Sequence, residues 1–266
     1  MNDRAATELS PFVRRDVDSR GVVTLTLERP QSFNALSEGM LAGLQAALDA
    51  IAIDEHVRVV VLAASGKAFS AGHDLKEMRA APSQRYYEAL FAQCARLMLT
   101  IQRLPVPVIA RVQGIATAAG CQLVAACDLA VAAEGARFAV SGVNLGLFCS
   151  SPSVALSRNV GRKAAFEMLV TGEFISAEEA RARGLVNRVV AADALDSEVE
   201  SIAAAIVAKP RVAIALGKEL FYRQLEQGID AAYDAAGKTM ACNMMDATAL
   251  EGVQAFIDKR KPDWPK

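Results

Sequence analysis

Three short runs of nearly unbroken apolar residues constrain the fold most: residues 57–63 (VRVVVLA), Val108–Val112 (VIARV) and Leu129–Ala133 (LAVAA). A strand with one wet face alternates apolar and polar side chains. A run without that alternation is buried on both faces, which is how parallel strands lie beneath their crossover helices. Between the runs the period shifts toward 3.6 residues. After Arg29 and Pro30, Ser37 can cap a helix in which Met40, Leu41, Leu44, Leu48 and Ile51 recur at helical spacing. Gln84–Arg103 reads as a second helix, Pro105 and Pro107 introduce the run at Val108, and a helix from near Ala118 leads to the run at Leu129. The first ordered element is expected at residues 22–28 (VVTLTLE). The last strand-like run is residues 185–190 (LVNRVV), behind a helix announced by a capping box of Ser176 and Glu179. From Asp193 onward the pattern is helical, interrupted only singly, as at Pro210 and Gly228. The reading is α/β with mostly parallel pairing, divided into a strand-rich body (residues 1–200) and an all-helical tail (residues 201–266).

Composition excludes several classes. Thirty acidic and 29 basic side chains leave a formal charge of −1, so nothing electrostatic points to nucleic acid or an anionic membrane surface. Hydrophobic residues make up 53%, too many for bulk disorder, yet no apolar run approaches the roughly 18 residues of a membrane helix. His56 and His73 are too few for a His-rich zinc site and no C-x-x-C pair exists, so no metal is expected. The five cysteines are scattered in apolar context and read as reduced thiols. The first 20 residues mix Asp, Glu and Arg without an apolar core, which makes the cytoplasm the expected compartment.

No Walker A loop, G-x-G-x-x-G, H-E-x-x-H or G-x-S-x-G occurs. Ser150, Ser151 and Ser153 in FCSSPS read as a small-residue loop, since two histidines leave little for a triad. Two other segments stand out: residues 66–78 (GKAFSAGHDLKEM) and residues 113–127 (QGIATAAGCQLVAAC). Each follows a buried strand and turns into a helix through small residues. Turns at the carboxyl ends of parallel strands are where α/β proteins place ligands. Their free backbone N–H groups, backed by a helix dipole, suit an oxygen that gains negative charge. Two converging donors form an oxyanion hole for an acyl group.

RPQSFNAL, KAFSAGHDLKEM, the Ala-Ala-Gly-Cys-Gln loop with Cys127-Asp128, FAVSGVNLGL, LVTGEFISAEEARARGLVNRVV and EGVQAFIDKRKP run in this order through the chain. In them the sequence resembles the crotonase, or enoyl-CoA hydratase/isomerase, superfamily across nearly all of residues 20–262. Within it, ATAAGCQLVA and GVNLGLFCS are similar to the subgroup called enoyl-CoA hydratase domain-containing protein 3. The resemblance implies a ββα spiral core and a helical C-terminal trimerisation region, giving a homotrimer or a dimer of trimers. It implies an acyl-CoA thioester as ligand, with coenzyme A entering as part of the substrate and no permanently bound cofactor. The default reaction is hydration of a trans-2-enoyl thioester.

Carried over residue by residue, the oxyanion donors are the backbone N–H groups of His73 and Ala119. The segment Ala71, Gly72, His73, Asp74, Leu75 and Lys76 resembles the stretch that lines coenzyme A, and Lys259 matches a basic residue that reaches its phosphate from a neighbouring subunit. The two glutamates that move protons in the hydratases fall at Gln122 and Gly142, so neither is present. Glutamine cannot exchange a proton near neutral pH, and general acid–base groups typically contribute ~10²–10⁴-fold each. Two-glutamate hydration is therefore expected to be weak or absent. The isomerases also use an acid at the Gly142 position, and the dienoyl isomerases one at Ser150. The alternatives are a decarboxylase-type lyase, whose relatives carry Tyr where this chain has Cys149, and a non-catalytic acyl-CoA-binding module. Cys149 enters as a weak acid or as an inert buried thiol.

Overall fold

The computed structural model describes residues 5–264. The chain opens with β1 (Ala5–Ser10), β2 (Val13–Val17) and β3 (Val22–Leu27), then α1 (Glu38–Ala52). Next come β4 (Val59–Ala64), β5 (Ala68–Ser70), α2 (Leu75–Ala80) and α3 (Gln84–Arg103). The same rhythm repeats as β6 (Val108–Val112), β7 (Ile115–Thr117) and α4 (Ala119–Ala126), and again as β8 (Leu129–Ala133), β9 (Arg137–Ala139) and α5 (Ser150–Asn159). After α6 (Arg162–Thr171), β10 (Ile175–Ser176), α7 (Ala177–Ala182) and β11 (Arg188–Val190), the chain is helical: α8 (Leu195–Val207), α9 (Arg211–Gln224), α10 (Ile229–Met244) and α11 (Ala247–Ile257).

Each repeat gives one long strand to a seven-stranded sheet of order β1-β2-β3-β4-β6-β8-β11. It gives one short strand to a second sheet of order β10-β9-β7-β5. The repeats thus build the expected ββα spiral. From β3 to β11 the large sheet is parallel, with Leu25 opposite Leu62, Leu62 opposite Ala110 and Ala110 opposite Ala130. One face of this sheet carries Leu25, Leu62 and Ala110 against Leu44 of α1, Leu97 of α3 and Leu123 of α4. The other carries Val59, Val61, Ile109 and Val131 against Leu195, Val199 and Ile202 of α8. Burial on both sides is the physical reason the three apolar runs show no alternation. Ser37 accepts from Met40 N–H at the start of α1, and Ser176 from Glu179 N–H at the start of α7, as the capping patterns foretold.

The structure corrects three expectations. Ordered structure begins before residue 22, because β1 and β2 pair antiparallel and extend the sheet edge through β3. The two small-residue turns are not simple strand-to-helix turns, since β5 and β7 lie inside them and pair with each other. The FCSSPS segment is not a loop: Ser150 to Ser153 form the first turn of α5, with Ser153 Oγ donating to Ser150 O at 2.6 Å. Among the described residues no helix is long and apolar enough to cross a membrane.

Candidate active site

The site is built where the second sheet ends. β5 stops at Ser70, and the chain turns through Gly72 at φ +87° before Asp74 caps α2 by accepting from Lys76 and Glu77 N–H. β7 stops at Thr117, and the chain turns through Ala118 into α4. The two turns touch. A Cβ on Gly72 would lie 2.9 Å from Ala118 Cβ and 3.1 Å from Ala119 N, so only glycine supplies both the left-handed backbone and the room. Ala118 N–H donates to Ala139 O at 3.0 Å, and Thr117 Oγ1 and Ser141 Oγ are bonded at 2.9 Å, which brings the end of β9 to the same point.

At this junction the backbone N–H groups of His73 and Ala119 have no acceptor among the described residues. Ala119 is the first residue of a wholly buried helix, where an unpaired donor and the helix dipole favour an incoming oxygen. Ala118 stands at φ +50°, ψ −122°, a conformation that costs an alanine on the order of 1–3 kcal/mol. The imidazole of His73 packs edge-on to Phe91 at 5.5 Å, with Nδ1 3.4 Å from Leu36 O. Burial holds its pKa below the usual histidine value, which leaves it neutral at neutral pH.

The positions carried over for acid–base work hold no proton carrier. Gln122 is buried on α4, with Oε1 4.0 Å from Cys94 Sγ. Gly142 follows β9, and a Cβ there would meet Leu147 O at 2.6 Å and Cys149 Sγ at 2.7 Å. The sulfur of Cys149 thus fills the space a side chain at residue 142 would enter, and it accepts the Gly142 N–H at 3.3 Å. Burial pushes the Cys149 thiol up, partly offset by that N–H, and pushes Cys121 and Cys94 up to about 12 each. All three stay protonated near neutrality.

The remaining candidates separate into two groups. Asp74 is engaged structurally, capping α2 and pairing with Arg29 at 3.3 Å, while Leu75 and Lys76 are exposed beside it. Ala71 N–H donates to Phe33 O at 3.0 Å. Lys259 is exposed just past α11, in the left-handed conformation at φ +54° that ends that helix, with no partner for its ammonium among the described residues. Among the described residues no group of three or more His, Cys, Asp or Glu could hold a metal.

Several residues that shape the site carry no motif-level signal of chemistry. Asn34, fully buried at φ +51°, donates to Ser65 O and Ala68 O and accepts from Arg29 N–H, clamping the β4–β5 turn. Gln113 Nε2 contacts Ala64 O, Gly66 O and Ala68 O at 2.9, 3.2 and 3.1 Å. Ser70 Oγ donates to Asn34 O and accepts from Gly72 N–H. A signal for Asn34 exists in hindsight: asparagine tolerates the left-handed region better than most residues.

Comparison with known proteins returns one consistent answer. The family model described as enoyl-CoA hydratase/isomerase matches residues 18–266. The rat mitochondrial enoyl-CoA hydratase domain-containing protein 3 is 45% identical over 260 residues, covering 98% of this chain and 87% of that protein. A crystal structure of an enoyl-CoA hydratase from Mycobacterium smegmatis is 71% identical, with TM-score 0.95 over 96% of this chain and 99% of that one. The crystal structure of human enoyl-CoA hydratase domain-containing protein 3 is 43% identical, with TM-score 0.90 over 98% and 99%. The rat, mouse, frog and human relatives are all described as mitochondrial, which overturns the expectation of a cytoplasmic chain. That expectation rested on free thiols and the make-up of the first 20 residues, and free thiols do not tell one reducing compartment from another.

Proposed function

Because this chain belongs to the enoyl-CoA hydratase/isomerase family, we propose that it binds an acyl-CoA thioester at the junction of its two turns. On this reading the thioester oxygen rests on His73 N–H and Ala119 N–H, and residues 71–76 with Lys259 line the coenzyme. The observation that supports the reading is the contact of the turns at Gly72 and Ala119, where neither His73 N–H nor Ala119 N–H has an acceptor among the described residues. Such donors are worth about 2.7–4 kcal/mol each to a charge-gathering oxygen.

The same geometry argues for slow hydration. Adding water across a conjugated double bond requires one group to take a proton from the water and another to supply one at C2. Gln122 exchanges no proton, Gly142 has no side chain, and the neighbouring thiols hold theirs. The proposed activity is carbonyl binding and polarisation, with hydration far below that of a two-glutamate enzyme.

The same membership supports assembly into a trimer. Tyr233 and Met240 on α10 and Phe256 on α11 are 74%, 71% and 86% exposed, an apolar surface that suits contact with further copies. The test pairs calorimetry with a rate assay. Saturable binding of crotonyl-CoA, abolished by competing butyryl-CoA, together with a slow fall in the enoyl absorbance is expected. Absence of any binding would overturn the reading of the site. A rate equal to that of a two-glutamate hydratase would overturn the argument from the missing acids.

A further inference from the structure

Two arginines share a cavity at the entry end of the large sheet. Arg58 directly precedes β4 and Arg211 begins α9, and both line a cavity of about 790 Å³ together with Gly21, Lys209 and Trp264. The turns at His73 and Ala119 lie beyond the strand exits, and β4 alone runs six residues, about 20 Å, between the two ends. Gly21, at φ +83°, gives the Arg58 stem its room, since a Cβ there would come to 3.0 Å from Arg58 Cγ. Arg58 donates from one terminal nitrogen to Val207 O at 3.1 Å and to Lys209 O, and Arg211 Nε donates to Val57 O at 3.2 Å. These bonds fix both guanidinium groups. Their other N–H groups have no acceptor among the described residues.

The charge of this pair is not balanced locally. Neither arginine has a carboxylate partner among the described residues, and burial together with the Arg211 charge holds the Arg58 pKa below its usual value. The acids that line the same cavity are engaged elsewhere. Asp18 pairs with Arg20 at 2.5 Å and accepts from Val22 N–H. Asp54 accepts from His56 N–H at 3.0 Å and lies 3.8 Å from Arg15, and Asp246 caps α11 by accepting from Thr248 N–H at 2.8 Å. Glu55 is exposed, where water and salt screen it. Lys209, also exposed, adds a third positive charge, and the first turn of α9 has no side-chain cap.

We propose that Arg58 and Arg211 form a binding site for a phosphoryl dianion, separate from the acyl-CoA site. A phosphoryl group has oxygens enough to accept from both guanidinium forks at once, and its two charges offset the pair. A carboxylate brings one charge and two oxygens and leaves part of the repulsion standing. The cavity is larger than a phosphate ion and so admits the molecule that bears the group. Trp264, against Gly252, presents an aromatic ring to that molecule.

Trp264 is the sole tryptophan, so its emission reports on this cavity directly. The test titrates the full-length protein with inorganic phosphate at about pH 8, where the dianion prevails, by emission and by calorimetry, with sodium chloride holding the ionic strength. Saturable binding is expected, and Arg211→Gln should weaken it at least about 10-fold, the worth of hydrogen bonds to a charged group. Butyryl-CoA affinity should change less than about 2-fold in the same variant. If Arg211→Gln does not fold, as judged by circular dichroism, Arg211→Lys keeps the charge, loses the fork and should still weaken phosphate several-fold. No phosphate binding by either readout, or binding that the Arg211 variants leave unchanged, overturns the inference. Loss of butyryl-CoA binding in a folded Arg211 variant would make the cavity part of the acyl-CoA site and overturn it as well. Failure of butyryl-CoA to bind the parent bears on the acyl-CoA reading alone.

Discussion

Lys218 on α9 offers the sharpest test of how the helical tail is fastened to the spiral. Its side chain is 6% exposed, and Nζ donates to Asp128 Oδ2 at 2.6 Å, Ile101 O at 2.8 Å and Val106 O at 2.9 Å. All three ammonium protons are satisfied. Asp128 also accepts from Tyr222 Oη–H at 2.8 Å and Val108 N–H at 2.6 Å. A single cation therefore joins α9 to the end of α3 and to the entries of β6 and β8. Lys218→Met keeps the apolar stem but strands two buried carbonyls and leaves a carboxylate with only two donors. Removing one partner of a buried pair costs about 3–5 kcal/mol. At roughly 2–4 °C per kcal/mol for a chain of this size, Tm should fall by about 6–20 °C. Asp128→Asn should cost less, since an amide still accepts from Lys218. The double variant should be milder than the sum of the singles by more than about 1 kcal/mol, the signature of direct coupling. Unfolding would be followed by calorimetry at matched protein concentration, because assembly shifts Tm by mass action. A Lys218→Met variant within about 1 kcal/mol of the parent, or additivity in the double variant, would refute the reasoning.

Three further outcomes follow from local geometry. Ala118→Gly should raise the urea midpoint by the equivalent of about 1 kcal/mol, because relief of backbone strain exceeds the extra unfolded-state freedom of glycine; a lower midpoint would mean that the methyl contact outweighs the strain. Adding Gly142→Glu to Gln122→Glu should lower Tm without speeding crotonyl-CoA hydration beyond Gln122→Glu alone, because Leu147 O and Cys149 Sγ occupy the space of the new Cβ. A gain in rate would show that the Leu147–Cys149 segment yields readily. Glu251 is held down to about 2 by Arg260 and by Asp263 N–H. A lowered acid pKa stabilises above the unfolded value near 4.5 and loses that contribution as pH falls toward 2. Trp264, the sole tryptophan, lies against Gly252 beside this clamp, so its fluorescence should change across that window and Glu251→Gln should abolish the change.

The centre of the fold was legible because the signal there is local. Val59–Ala64, Val108–Val112 and Leu129–Ala133 are apolar but for Arg111 since two layers cover them, and Gln84–Arg103 carries its own amphipathic stripe. β2, VRRDV, gives no such signal: it lies between β1 and β3, yet only Val13 is buried and its charged residues offer no apolar run. The two turns were legible as small-residue segments, though their short strands were not: three residues of AFS or IAT form a strand only because β5 and β7 pair with each other. That Gln122 and Gly142 carry no acid could be read directly from the sequence. That Cys149 Sγ blocks the space beside Gly142 could not, because it depends on a fold of the chain between them. Lys218 and Asp128 lie 90 residues apart, and neither residue type announces its partner.

The single bridge between Leu36 and His73 has a consequence for how the site wears out. Leu36 N–H donates to Gly72 O at 2.8 Å, Ala71 N–H donates to Phe33 O, and Asn34 clamps the turn ahead of both. The placement of the backbone N–H at residue 73 is thus inherited from residues 33–36, a segment far back in the chain. Warming that loosens residues 33–36 would blur the aim of the His73 N–H while the central sheet stayed intact. Affinity for the thioester should therefore fade on heating before the far-ultraviolet spectrum changes, and Asn34→Ala should bring that fading to a lower temperature.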